Sequence, residues 1–269
     1  MATVSRVSSG KTGMATHSRY PESERNTAYT ESYRTIRLVV GFLGIALPLV
    51  FIVGEARYLR GGVHVRGSLS AYYHTSMQDI FVGGLCVIGF LLATYLAGER
   101  RTWDFWASLL AGLAVLGVVF FPTSRSGLAP NALHCEEARS LPGCSFVEYE
   151  LGESHTAVIH AVCAAVFILG MAAMSFLFAA SEVQAGSARS LSARGLVLRS
   201  TRLFWIHRSC AAVILAAGAW AVVGGALHAD LGPLTPLYVG EVVAVWAFGV
   251  SWLLAGYRLT APPRVPAAL

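Results

Sequence analysis

Six apolar runs constrain this chain more than any other feature. They lie near residues 35–54, 80–97, 105–121, 156–180, 209–227 and 237–256. Each approaches the ~20 residues that carry an α-helix across a bilayer core about 30 Å thick. In lipid each backbone amide must find its partner within the protein, so a segment of this length and apolarity forms a helix. Composition points the same way. Charged residues make up 13% of the 269-residue chain, against about 25% in soluble domains. That deficit argues against a soluble enzyme, and the connecting segments leave no room for a soluble domain. The expected fold is all-α, a polytopic six-transmembrane-helix bundle over residues 35–258. Residues 1–34 read as a disordered cytoplasmic tail rich in Ser, Thr, Arg and Glu, and 259–269 as a cytoplasmic C-terminal tail.

The net charge of +5 reads as topology rather than as nucleic-acid binding. Lys and Arg collect on the cytoplasmic loops of membrane proteins. With the N-terminus inside, fifteen of the twenty Lys and Arg residues fall on inner segments, among them Arg34, Arg37, Arg100, Arg101 and Arg258. Arg57, Arg60, Arg66, Arg125 and Arg139 fall outside. The expectation is N-in and C-in. Within the helices, Pro48 is a candidate kink in the first. Gly83, Gly84 and Gly89 in the second are candidates for close helix approach.

The polar chemistry gathers at the outer end. The stretch Ser68 to Asp79 (Ser-Leu-Ser-Ala-Tyr-Tyr-His-Thr-Ser-Met-Gln-Asp) runs directly into the second apolar run. Ionisable groups at such a depth are costly and usually have a task or a partner. The topology brings His74, Asp79, His160 and Glu241 to the outer leaflet, with Ser70, Tyr73, Thr123 and Ser124 around them. Histidines and carboxylates together suit either metal ligation or acid–base work. Plainer readings stand beside this one. His64, His155 and His228 lie at helix ends, where a histidine often only bonds a loop carbonyl. His207 beside Arg208 reads as interfacial, and Asp79 suits the N-terminus of a helix. His160 and Glu241, flanked by apolar residues, are harder to explain that way.

The longest outer segment, residues 125–154, is acidic and holds Cys135 and Cys144. Two cysteines on the oxidising side of a membrane favour a disulfide. A pair of metal thiolates with His134 is the alternative.

Ser70-Ala71-Tyr72-Tyr73-His74-Thr75, Asp79 to Gly83, Phe121-Pro122-Thr123-Ser124, Ile159-His160, and Glu241 with Trp246 to Trp252 together resemble an uncharacterised family of bacterial six-span membrane proteins. The resemblance covers about 35–256. It implies a six-helix fold in the bacterial inner membrane and no particular activity. A weaker similarity is to the alkaline ceramidase and adiponectin-receptor superfamily, through the Ser70-x3-His74 pair and Asp79. That superfamily implies zinc and lipid hydrolysis, but it has seven helices and a late His-x3-His that this chain lacks.

Three functions of different class follow. The preferred one is a non-enzymatic transport or assembly module of the bilayer that takes a lipid or small-molecule ligand. The second is a zinc-dependent lipid hydrolase, with His74 and His160 as ligands and Asp79 or Glu241 positioning the water. The third is a b-type haem protein. None of the three calls for nucleic acid.

Overall fold

The computed structural model describes residues 22–60, 65–96, 101–125, 132–137, 141, 143–188, 194–232 and 234–259. Side chains are described for these except 22–28, 184–188 and 194–200. Among the described residues the regular structure is helical. The helices are α1 (Glu22–Leu59), α2 (Gln78–Thr94), α3 (Trp103–Phe120), the short α4 (Phe146–Leu151), α5 (Glu153–Ala188), α6 (Arg194–Ala226) and α7 (Pro236–Arg258). Single 3-10 turns cover Ser70–His74 and Cys135–Glu137.

Five of these helices are long and apolar enough to cross a membrane, and α2, with 17 residues, is a shorter apolar helix. At 1.5 Å per residue α2 spans about 26 Å, a few ångström short of the hydrocarbon core. Phe42, Phe90, Leu113, Val162, Leu169 and Val222 are all exposed. So broad an apolar surface suits a multi-pass membrane protein in lipid.

The helices extend beyond the apolar runs. Residues 22–34, read from sequence as tail, form the first turns of α1. A polar segment continuing an existing helix needs no new nucleus, and Glu, Arg and Ser at 22–25 tolerate that conformation. Residues 1–21 and 260–269 of the expected tails lie outside the described residues. At their facing ends α5 likewise runs on to Ala188 and α6 starts at Arg194, both beyond the apolar runs.

Each membrane-length helix packs on its chain neighbour, and α7 packs back on α1 to close a ring. α5 also touches α7 directly, which leaves α6 outside the groove between them. α6 accordingly buries a single stripe, His207, Cys210, Ala211, Ile214 and Ala217, at the i, i+3, i+4 spacing of one helix face. Where α1 crosses α7 the backbones nearly touch. A Cβ on Gly249 would lie 2.8 Å from the Gly41 carbonyl, so both positions need glycine. Of the glycines singled out in α2, Gly89 lies against Leu116 of α3, whereas Gly83 faces open space.

Two ends result. One holds the 3-10 turns, α4 and the segment between α3 and α5, and is called the disulfide end below. The other holds the start of α1 and the end of α7, and is called the terminal end. At the disulfide end α4 and α7 start on short polar side chains, Ser145 and Thr235. Thr235 caps α7, its hydroxyl accepting from the Tyr238 N–H at 3.1 Å, with Pro236 at the first helical position, where its missing N–H costs nothing.

Candidate functional site

In the half of the bundle nearer the disulfide end, α1, α2, α3, α5 and α7 line a cavity of about 90 Å³. Its walls are apolar, with Leu47, Phe51, Phe81, Phe167 and Phe248 among them, and its roof carries Ser70 and Glu241. Glu241 comes from the second turn of α7. Its Oε2 accepts the Leu69 backbone N–H at 2.6 Å. Its Oε1 takes no hydrogen bond among the described residues. The side chain is half-buried and is one of the residues that line the cavity.

Beside Glu241 lies a second carboxylate that the sequence reading passed over. Glu55, in the last turns of α1, is 1% exposed. Its Oε1 accepts from Arg66, with Nε at 2.8 Å and the neighbouring guanidinium nitrogen closer still. This bond pushes the Arg66 guanidinium up from its ordinary range. Glu55 Oε2 has no partner, and neither have the buried hydroxyls of Tyr72 and Tyr238. These groups are contiguous. Tyr72 lies beside Glu55 and Tyr238, and burial first, then Glu55, pushes its phenol up. Tyr72 also stacks on Phe51, centroid to centroid 5.3 Å.

The two histidines lie together on the other side of the Ser70–His74 turn. His74 Nε2 is 2.6 Å from the Thr123 carbonyl oxygen and Nδ1 is 3.1 Å from that of Gly143. Glu148 lies beside the ring, its Oε1 3.8 Å from Nε2. A capping box holds Glu148 there: its backbone N–H donates to Ser145 Oγ at 3.2 Å, and its Oε2 accepts the Ser145 N–H at 2.8 Å. The motif Ser145-x-x-Glu148 was legible in the sequence. His160, 5% exposed, bonds the Phe121 carbonyl through Nδ1 at 2.8 Å. His74 and His160 thus brace one segment, Phe121 to Thr123, where α3 ends.

The remaining expected site residues divide. Ser70 and Tyr73 are buried in the turn, Thr123 is half-buried, and Ser124 is exposed. Burial pushes the Tyr73 phenol up. Asp79 is exposed in the first turn of α2, where the helix dipole favours a carboxylate. The structure therefore groups His74 with His160 and seats Glu241 separately, with Glu55.

A disulfide joins Cys135 to Cys144, and it pins the 3-10 turn Cys135–Glu137 close to the start of α4. Glu153 gathers the surroundings: Arg125 Nε donates to it at 2.7 Å, the Cys135 N–H at 3.2 Å, and His134 Nδ1 lies 3.3 Å away. The Glu136 carboxyl is held below its usual range, first by its own backbone N–H and also by that of Glu153.

These donors do not fit a zinc ion. Both His74 nitrogens face carbonyl oxygens, Asp79 is exposed, and Glu241 turns toward the cavity. Among the described residues, the three metal-donor side chains that do converge are Cys135, Cys144 and Glu153. The two sulfurs there are bonded to each other.

The terminal end has its own polar groups. Glu182 of α5, 2% exposed, is ion-paired with Arg258 of α7. Arg37 of α1 donates to the Tyr95 hydroxyl and, at 3.1 Å, to the Ala255 carbonyl, with its guanidinium 4.8 Å from the Phe178 ring centre. His207, expected at the interface, is 1% exposed and bonds Ser251 at 2.8 Å.

Residues 39–206 match the family described as "Protein of unknown function (DUF998)", which is more than half of the chain. The chain belongs to that family. The DUF998 match takes in Glu55, Arg66, Tyr72, His74, Glu148 and His160, and it ends before α7 and Glu241. The chain matches no curated protein and no solved structure, and the similarity to ceramidases and adiponectin receptors finds no support.

Proposed function

We propose that this chain is a six-span module of the bacterial inner membrane, N-in and C-in, that binds an amphipathic small molecule without transforming it. The ligand's apolar part fills the cavity between the helices, and its polar part meets Ser70 and Glu241. One observation carries this reading: the apolar cavity has a carboxylate oxygen at its roof with no protein partner. A carboxylate in apolar surroundings is costly unless something pairs with it. A purely structural glutamate would have its partner built in, as Glu182 does. The sixth span is α2, and the fifteen-to-five division of basic residues sets the orientation.

The binding test uses thermal unfolding of the full chain in lipid nanodiscs with added hexanol. Groups the size of water each take about 10–15 Å³ by this volume measure, so on the order of six to nine fit, which suits a six-carbon chain. The midpoint should rise for the native chain and stay fixed for Ala244→Leu, which fills the cavity. Equal responses from both would refute binding there. For the topology, a reporter fused after Leu269 should work only in the cytoplasm. Activity on the other side would overturn the orientation.

A further inference from the structure

The roof of the cavity specifies what kind of head group it takes. Three oxygens behind it are buried without partners: Glu55 Oε2, Tyr72 Oη and Tyr238 Oη. Glu241 Oε1 makes a fourth, opening on the cavity. They come from α1, the Ser70–His74 turn and α7, and they are neighbours: Tyr72 beside Glu55, and Tyr238 beside both Tyr72 and Glu241. Folded proteins leave few buried polar atoms unpaired, and each such atom calls for an explanation. Two are carboxylate oxygens, of which Glu241's residue lines the cavity, and two are phenols that lie against each other and accept as well as donate.

The charges do not balance either. Arg66 is committed to Glu55 Oε1, and among the described residues Glu241 is in no ion pair. The position facing Glu241 Oε1 is open to the ligand. A carboxylate or phosphate head would meet Glu241 as a like charge. An alcohol would bring one donor and no charge.

We infer that the site takes a primary ammonium head: the ligand is an amphipathic amine whose N–H groups bond Glu241, with the Glu55 and tyrosine oxygens next in reach. This rests on the cavity-binding reading above and names the ligand class of that same site. Three N–H donors answer several acceptors at once, and the positive charge neutralises the carboxylate left over. The walls are apolar, so the ion pair is screened less than it would be at the surface.

The test compares hexylamine, hexanol and sodium hexanoate on the full chain in nanodiscs, read as thermal midpoint against ligand concentration. Hexylammonium should bind at least tenfold more tightly than hexanol, and hexanoate should give no shift. Glu241→Gln should reduce hexylammonium to the level of hexanol. Tyr238→Phe, which keeps the ring and removes the hydroxyl, provides a second variant should Glu241→Gln fold poorly, and it should weaken hexylammonium selectively. Equal binding of amine and alcohol would overturn the ammonium head and leave the cavity reading standing. No shift with any of the three would overturn both. A shift produced equally by sodium chloride would assign the roof to a bare cation and overturn the amine.

Discussion

The two ends of the bundle treat buried charge in opposite ways. At the terminal end, charged groups from different helices meet: Glu182 pairs with Arg258, and Arg37 reaches from α1 to Tyr95 and α7. The unpartnered groups in that half, Arg34 Nε, Ser175 Oγ and Trp252 Nε1, include no carboxylate, and none lines the cavity. At the disulfide end, Glu55 commits one oxygen to Arg66 and leaves the other open, and Glu241 turns an oxygen toward a void. The difference teaches how a structural ion pair is told from a binding site. A structural pair satisfies itself, and removing one partner strands the other. A site keeps acceptors in reserve and loses stability for it.

Breaking the terminal end should therefore cost the most. Glu182→Ala leaves Arg258 without its carboxylate and should destabilise the chain by about 3 kcal/mol, read as a lowered unfolding midpoint in a membrane mimetic. A change under about 0.5 kcal/mol, the range of an ordinary surface substitution, would erase the contrast between the ends.

Next in size is the disulfide. Opening the Cys135–Cys144 loop, with the cysteines nine residues apart, should cost about 2–3 kcal/mol by chain entropy. Thiol reagents should label both cysteines only after reduction. Labelling of both without reductant would show that the pair is not joined.

Much of the fold was legible because membrane helices announce themselves by unbroken apolarity, and all six runs became helices. Their ends were not, because apolarity marks the hydrocarbon and a helix can outrun it. Glu55 shows the consequence: the apolar run stops at 54, so Glu55 read as loop, whereas α1 continues to Leu59 and carries it inward. His207 was misplaced for a related reason. Adjacent helical residues point about 100° apart, so Arg208 says nothing of where His207 faces. The stripe His207, Ala211, Ile214 predicts its burial better. Nothing in the sequence marks Tyr72 and Tyr238 as neighbours, since only the folded chain brings the 70–74 turn against the start of α7. Among the expected site residues, His74, His160, Ser70 and Glu241 do lie at one end, but His74 and His160 brace the segment after α3 while Glu241 faces the cavity.

His74 sharpens the comparison at a smaller scale. His74→Ala removes the contacts to the Thr123 and Gly143 carbonyls and strands Glu148, for a loss of about 1–3 kcal/mol. Hydrogen exchange should speed up around 121–125 and 143–148 while the terminal end stays protected. Uniform acceleration over both ends would mean that the ends are not separate units.

The smallest expected effect is the most informative. Glu241→Gln keeps an oxygen for the Leu69 N–H and removes only the charge, so stability should change by less than about 1 kcal/mol or rise. Measured beside Glu182→Gln in the same nanodiscs, the account predicts a clear fall in unfolding midpoint for Glu182→Gln and none for Glu241→Gln. A fall of equal size in both would make Glu241 a structural group and contradict the reading of the disulfide end as a binding site.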